Sequence, residues 1–372
     1  MFMKKKEIKF RSLSNNYSVI IGNNILGYLN KKIKLLCPKT KKVAVIFDRN
    51  VPQKFRTILK EELKNYHLIF FSFSSSEKSK NINTINFFLN KLLINNFNRS
   101  DLLISLGGGI TGDVVGFVAS IFKRGLNFIN IPTTLLAQVD AAIGGKTGVN
   151  SNVGKNLIGS FYQPKLVLND SAFLDTLSKK EMICGYAEIL KHSIINDRNF
   201  FNWLKRKTHS ILNKKKDDLE YAIKKSCEIK MMFVNRDVHE KGLRMTLNFG
   251  HTFAHAIEVR NDYSKNITHG EAVLSGMILA IKLSLIKKIC KRKILNEVED
   301  LYKKNKLDYT IKNFRSEKSI KNLIPFIKND KKNDDEKINF ILLKSIGKTT
   351  KPNSQKISIS KIKKYAKTMS LY

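Results

Sequence analysis

Cysteine is scarce in this chain. There are four among 372 residues (Cys37, Cys184, Cys227 and Cys290), and no two form a CxxC pair. A disulfide framework and a thiolate zinc site are thereby excluded, which leaves reduced, mostly structural thiols. Uninterrupted apolar runs of the length that a membrane span needs, about 18 residues, are also missing. The longest apolar region, 102–122, is broken by five glycines and Asp113. The basic N-terminus MFMKKKEIKF has no apolar segment behind it, so no signal peptide is read and a cytosolic, membrane-free protein is expected. There is no internal repeat.

Acidic residues are few. Asp and Glu number 31 against 68 Lys and Arg, a formal net charge of +37. Such an excess suits a polyanion-binding protein. Yet lysine far outnumbers arginine, and Asn and Ile are abundant in core-like and loop-like segments alike, as in a coding sequence drifted toward A and T. No basic stripe is interleaved with aromatics, and no helix-turn-helix, zinc-finger or RNP pattern is present. Specific nucleic-acid binding is not expected; nonspecific adhesion to polyanions at low salt is.

With 42% hydrophobic residues the chain can bury a substantial interior, and its length suits two domains. The first half alternates strand-like and helix-like runs. Val43–Phe47 is short, apolar and β-branched, as a buried parallel strand is. A helix over Phe55–Asn65, a strand over Leu68–Phe73 and helical spacing over Ile82–Ile94 follow. Next come a strand over Leu102–Leu106, an apolar helix over Asp113–Phe122 and a strand over Phe128–Ile131. Ile8–Phe10 and Tyr17–Ile21 add edge strands. This alternation predicts a parallel, Rossmann-like sheet covered by helices. After about Asp175 strand-like runs disappear. Helical patterns cover Lys179–Ile195, Phe200–Leu212, Asp218–Val234, Thr246–Val259, Gly270–Lys288 and Lys293–Lys304. The boundary is placed near residue 178, between an α/β domain (1–178) and an all-α domain (179–372).

Three groups of residues carry chemistry. The run Leu102–Leu106 followed by Gly107, Gly108, Gly109, Ile110, Thr111, Gly112 and Asp113 satisfies G-x-G-x-x-G between a strand and a helix. Bare backbone N–H groups there can approach a pyrophosphate, and the helix N-terminus favours negative charge. The acidic residue expected about twenty positions on has no counterpart; Asp48, at the end of an earlier strand, is the better candidate for the ribose hydroxyls. Thr133 and Thr134 follow another strand end. Gly144-Gly145-Lys146-Thr147 looks like the tail of a P-loop, but position 140 is Asp140 rather than glycine, so a nucleoside triphosphatase fails on spacing. Lys146 and Lys155 lie on glycine-rich loops suited to phosphate or carboxylate. Glu188 and Lys191 are i, i+3 on a helix and share a face, as a surface ion pair also would. His251 and His255 are i, i+4, and His269 opens the next helix. Three of the seven histidines thus fall between 251 and 269. With Glu188 they offer a His/His/carboxylate set for a divalent metal, and spacing alone admits His255 as a ligand too.

Taken together, SLGGGITGDVVGF, RGLNFINIPTTLLAQVDAAIGGKTGVN, GKNLIGSFYQP, AEILKH, LRMTLNFGHTFAHAIE and HGEAV resemble the 3-dehydroquinate synthase family of the shikimate pathway. They run in family order over about 102–273, with weaker similarity beyond, including Asp330-Lys331-Lys332. The resemblance implies an α/β domain and a helical domain with the active site in the cleft between them, a homodimer, NAD+, and a divalent metal, Zn2+ or Co2+. The implied reaction converts 3-deoxy-D-arabino-heptulosonate 7-phosphate to 3-dehydroquinate. Its stages are transient oxidation at C5, β-elimination of phosphate, re-reduction, ring opening and intramolecular aldol closure.

Carried over residue by residue, the resemblance implies Glu188, His251 and His269 as metal ligands, with His255 beside the metal as base or proton relay for the C5 hydroxyl. Lys146, Lys191, Lys230, Arg244, Asn248, Asn156, Asp140 and Arg124 (the last across the dimer) would surround the substrate, with Lys331 or Lys332 from a late loop. For NAD+ it implies Asp48, Glu77, Lys80, Gly109, Ile110, Thr111, Gly112, Asp113, Thr133, Thr134, Lys146, Lys155, Phe173 and Thr176. The string SSSEKSK around Glu77 departs from the family's acidic-glycine pattern, and Tyr186 and His192 replace commoner neighbours of the metal carboxylate. Two enzyme alternatives share the fold: another sugar phosphate cyclase, and a metal-dependent polyol dehydrogenase, which would not need the anion-binding Lys146, Lys191, Lys230 and Arg244.

Overall fold

The computed structural model describes residues 6–11, 16–261, 267–307, 314, 316–328 and 337–372. The chain divides into two compact units, Met1–Glu181 and Met182–Tyr372.

The first unit is built on a seven-stranded sheet. Its strands are β1 (Lys6–Arg11), β2 (Asn16–Gly22), β3 (Lys42–Asp48), β4 (His67–Phe73), β5 (Leu102–Gly107), β6 (Asn127–Pro132) and, after a hairpin, β9 (Leu166–Asp170). They are ordered β1-β2-β9-β6-β5-β3-β4, parallel throughout except for the β1–β2 pair. Every residue of β5 is buried, as a strand covered on both faces requires. Alternation along β3 sends Val43, Val45 and Phe47 to one face and Ala44 and Ile46 to the other. The first face packs α1 (Leu29–Leu36) and α2 (Gln53–Glu62) through Leu29, Ile33, Phe55 and Leu59. The second packs α3 (Ile82–Ile94) and α4 (Gly109–Ile121) through Ile85, Phe88, Val114 and Val118. Helix α2 leaves β3 toward one face, and α4 leaves the neighbouring β5 toward the other. The topology therefore switches between β3 and β5 and opens a crevice at their carboxyl ends, where Asp48 and Gly107 sit.

Several elements differ from the sequence reading. Helix α4 begins at Gly109, not Asp113, so part of the glycine run is its first turn. The glycines answer to packing: a Cβ on Gly107 would lie 2.3 Å from Thr111 Oγ1, and one on Gly116 would lie 2.5 Å from Thr147 Cγ2. The supposed loop after residue 142 contains an antiparallel hairpin, β7 (Lys146–Ser151) and β8 (Gly154–Phe161), joined to the sheet by the overlooked β9. Tyr17–Ile21 belongs to a strand flanked on both sides, not to an edge.

The second unit is mainly helical: α5 (Lys179–Asn196), α6 (Arg198–Leu212), α7 (Lys216–Arg236), α8 (His251–Arg260), α9 (His269–Ile286), α10 (Arg292–Lys304) and a terminal helix, Ile359–Leu371. It is not devoid of strands, since Lys337–Asn339 pairs with Lys356–Ser358 and Leu343–Ser345 with Lys348–Thr349. Helix α8 starts five residues later than the periodicity predicts. Gly250 takes a left-handed φ of 81° and breaks the run from a preceding 3-10 turn, Leu243–Asn248. By length and composition α9 could cross a membrane, but 89% of its apolar window is buried inside this unit, as befits a core helix.

Candidate active site

The metal-capable residues converge within the second unit. Glu188 comes from the middle of α5, whose apolar flanks Ala187, Ile189 and Leu190 sink it completely. His251 is the first residue of α8, directly after left-handed Gly250. His269 is the first residue of α9, fixed by a capping box in which Thr268 and Glu271 satisfy one another's backbone N–H groups. Glu188 Oε1 lies 3.6 Å from His251 Nε2 and 3.5 Å from His269 Nε2. The three donor atoms all lie within 4.8 Å of one another.

Lys191 forms an ion pair with the other Glu188 oxygen, and neither member of the pair is more than 2% exposed. The surface pair admitted by the i, i+3 spacing is therefore a buried one. Burial works against the Glu188 charge, but the Lys191 ammonium and the two imidazoles outweigh it and hold this carboxyl well below the usual carboxylate range. Burial and Lys191 push His251 well below the ordinary imidazole value, which favours its neutral form. Burial acts in the same direction on His269, which is partly buried, yet the Glu188 and Glu258 carboxylates on its two sides hold it well above that value. Among the described residues, Glu188 Oε2 has the Lys191 ammonium against it, while Oε1 faces only the two imidazole nitrogens. A fully buried carboxylate oxygen whose nearest polar neighbours are two imidazole nitrogens at the limit of hydrogen-bond distance costs free energy unless a second cation stands between them. One oxygen and two nitrogen donors suit a zinc-like ion with coordination positions left open for substrate.

His255, one turn after His251, puts its ring centroid 5.4 Å from that of His251, against 5.6 Å between His251 and His269. It stands beside the triad and is not among the ligand groups found with Glu188. In the same unit, Lys230 on α7 and Arg244 are 6% and 2% exposed, unusual depths for cations. The turn carrying Arg244 is tied by Asp237, whose carboxylate accepts N–H bonds from Lys241, Gly242 and Arg244. Arg244 donates to the Val238 carbonyl, and Asn248 donates to Glu240 Oε1 at 2.7 Å. Asp237, Glu240 and Glu258 were not singled out from the sequence; Glu258, seven residues after His251 and so on the same helical face, left a signal that could have been read.

The nucleotide candidates gather in the first unit. The N-cap of α4 is Gly108, without a side-chain cap, so the first N–H groups of the helix stay available to an anion. Side chains crowd the turn: a Cβ on Gly109 would lie 3.1 Å from the Ala141 methyl, and one on Gly108 would lie 3.3 Å from Thr134 Cγ2. Asp48 is half-buried at the neighbouring strand end, its carboxyl pushed up by burial against the opposing Asn50 N–H. Thr133 N donates to Gly107 O, and Thr134 Oγ1 caps Ala137 N. Lys80, almost fully buried, reaches both Asp113 and Asn156. Lys155 pairs with Glu77 at 3.2 Å. Asn150, another residue the sequence reading passed over, bonds Glu77, the Lys80 carbonyl and the N–H of Asn156, whose φ of 53° is left-handed. Thr111 Oγ1 contacts Ser75 Oγ, and Ile110 precedes it in the first turn of the helix.

Other candidates are placed differently. The Phe173 ring is core, 4.0 Å from that of Phe55, which leaves its backbone to meet a ligand; its carbonyl accepts from Thr176. Asp140 lies in the π-helical turn Ala137–Ala141, and Lys146 is exposed at the start of β7. Arg124 sits exposed on the turn that ends α4, at a left-handed φ of 65°, at the far end of that helix from the glycine turn. Asp330, Lys331 and Lys332 lie outside the described residues.

Comparison with known proteins agrees with this arrangement. Residues 70–184 match the family model of the 3-dehydroquinate synthase N-terminal part, and 185–333 that of its C-terminal part. The chain is 47% identical over 344 residues to the 3-dehydroquinate synthase of Pelagibacter ubique, covering 92% of this chain and 93% of that one. Among solved structures, 2-deoxy-scyllo-inosose synthase complexed with carbaglucose-6-phosphate, NAD+ and Co2+ superposes with a TM-score of 0.87 at 24% identity, over 98% of this chain and 100% of that one. The 2-epi-5-epi-valiolone synthase of Streptomyces hygroscopicus with NAD+ and Zn2+ bound gives 0.82 at 23% identity, over 97% and 98%. These two share the fold. The chain belongs to the 3-dehydroquinate synthase family.

Proposed function

We propose that this chain converts 3-deoxy-D-arabino-heptulosonate 7-phosphate to 3-dehydroquinate and inorganic phosphate with NAD+ and one divalent ion, Zn2+ or Co2+. The observation that carries the reading is the convergence of the buried Glu188 Oε1 with His251 and His269, in a chain 47% identical to a synthase of that name. Related cyclases of the same fold hold NAD+ with Co2+ or with Zn2+.

Glu188, His251 and His269 would hold the ion. The unpaired amides of the Gly108–Gly109 turn, with Asp48, Lys80, Asp113, Thr133, Thr134, Lys155 and Thr176, would hold the dinucleotide. When bound, NAD+ supplies reversible acceptance of hydride and the ion supplies Lewis acidity toward the substrate's hydroxyls. The chain's own residues do the rest. His255 takes and returns the hydroxyl proton. Lys146, Lys191, Lys230 and Arg244 pair with the substrate's carboxylate and phosphate, and Asn156, Asn248 and Asp140 orient its hydroxyls, so that one conformer is held for each bond change. The departing phosphate accepts the eliminated proton, which removes the need for a separate base.

Two copies of the chain would form a homodimer in which Arg124 of one protomer reaches the site of its partner. Its exposure at the remote end of α4 supports that reading. The test is direct. Purified protein with NAD+ and Zn2+ is given the heptulosonate phosphate, and release of phosphate and formation of 3-dehydroquinate are followed together. Equimolar appearance of both is expected. Net NADH accumulation on simple polyols, with no phosphate released, would favour a polyol dehydrogenase instead.

A further inference from the structure

Glu258 lies near the end of α8, seven residues after His251 and so on nearly the same face of that helix. Its Oε1 is 3.2 Å from Nδ1 of His269, a residue contributed by the next helix. The opposite nitrogen of the same ring, Nε2, faces Glu188 Oε1 at 3.5 Å. A neutral imidazole carries one N–H and one lone pair. With Nδ1–H held by Glu258, an ion that replaces the Nε2 proton meets the lone pair of the nitrogen turned toward the candidate ion site. His251 has a weaker device for the same purpose, its Nδ1 lying 3.4 Å from the Phe249 carbonyl. The two histidines are therefore oriented by acceptors of different strength, a carboxylate for His269 and a carbonyl for His251.

We propose that Glu258 is the positioning residue of the metal site: it fixes the tautomer and ring plane of His269 and raises the donor strength of the nitrogen that meets the ion. This rests on the reading of Glu188, His251 and His269 as ligands of one divalent ion. Glu258 makes no contact with substrate or cofactor in this scheme. It works through His269 alone, and it ties the end of α8 to the first residue of α9, which supplies a ligand.

Outer carboxylates of this kind are worth about 10–100-fold in metal affinity. The test uses the full-length protein stripped with a chelator and titrated with Zn2+ against a chromophoric competitor. Unaltered protein is compared with His251→Ala, Glu258→Gln and Glu258→Ala. Glu258→Ala is expected to bind Zn2+ about 10–100-fold more weakly than the unaltered protein. Glu258→Gln keeps the shape and an oxygen acceptor for Nδ1–H without the charge, so it should fall between the two. It also serves if the alanine variant does not fold. Loaded with Co2+, the Glu258→Gln protein should show a shifted visible absorption band, which a purely structural role would leave in place. If His251→Ala abolishes binding while both Glu258 variants keep full affinity and an unchanged Co2+ band, the role of Glu258 is overturned and the ligand assignment stands. If unaltered protein takes up no ion, both fall.

Discussion

Lys191 and Glu188, one turn apart on α5, meet as an ion pair from which water is almost wholly excluded. Removing one member of such a pair strands the other, typically at a cost of about 3–5 kcal/mol. Lys191→Met in the ion-free protein is therefore expected to lower unfolding free energy by about 3 kcal/mol. Excess Zn2+ should restore much of that loss, because a divalent cation answers the same stranded charge. Urea titrations with and without Zn2+ read both effects; equal losses in the two would contradict the argument.

The helical pair His251 and His255 separates two roles that spacing alone left open. His251→Ala should abolish ion retention and turnover together. His255→Ala should slow turnover by about 100-fold or more while the ion stays bound. Metal content of the purified variants decides the matter, and loss of the ion from the His255 variant would make it a ligand.

Close contact between helices depends on glycines that leave no room for a side chain. A Cβ on Gly276 would lie 2.3 Å from the Gly250 carbonyl oxygen, and one on Gly270 would lie 2.3 Å from Cys184 Cα. Backbone cannot give way as a side-chain tip can. Gly276→Ala and Gly270→Ala should each destabilise the protein by at least about 1–3 kcal/mol. Gly27→Ala is the control, since its added Cβ would meet only Glu62 Oε1 at 3.6 Å, and its melting temperature should hold or rise.

Asp237 supplies a pH signature. Burial opposes its charge, but N–H donors from Lys241, Gly242 and Arg244 prevail and hold its carboxyl below the usual range. A depressed folded-state pKa means stability that is present above the unfolded value and lost as pH falls through the folded one. Asp237→Ala should thus cost about 1 kcal/mol near pH 7, and the difference from the unaltered protein should shrink below about pH 4. Denaturant unfolding of the ion-free proteins at both pH values measures it; a difference that does not change with pH would refute this origin.

Much of the fold was legible because the relevant signals are local. The β-branched run at Val43–Phe47, the bounds of α3 and the apolar run of β5, broken by Ser105, follow from periodicity. The start of α4 was misread because glycine's low helix propensity argues for a loop, whereas close packing against Ala141 and Asn130 favours glycine at 109 and 112 within the helix. The hairpin β7–β8 escaped notice because its strands are glycine- and asparagine-rich. The depth of Lys191 and Glu188 is a tertiary fact, as an i, i+3 pair looks the same in sequence on a surface or in a core. Glu258 was overlooked for a similar reason: a glutamate near a helix end reads as solvated until the imidazole of another helix is seen above it.

Each of the three candidate ligands is carried by a different helix of one compact unit. An ion gripped by them would act as a cross-link among α5, α8 and α9 as well as a reagent. At a free concentration 100 times its dissociation constant it would add about 2.7 kcal/mol to the folded state. Chelation would then act as a mild denaturant, and the thermal midpoint would track the free-ion concentration even when no substrate is present.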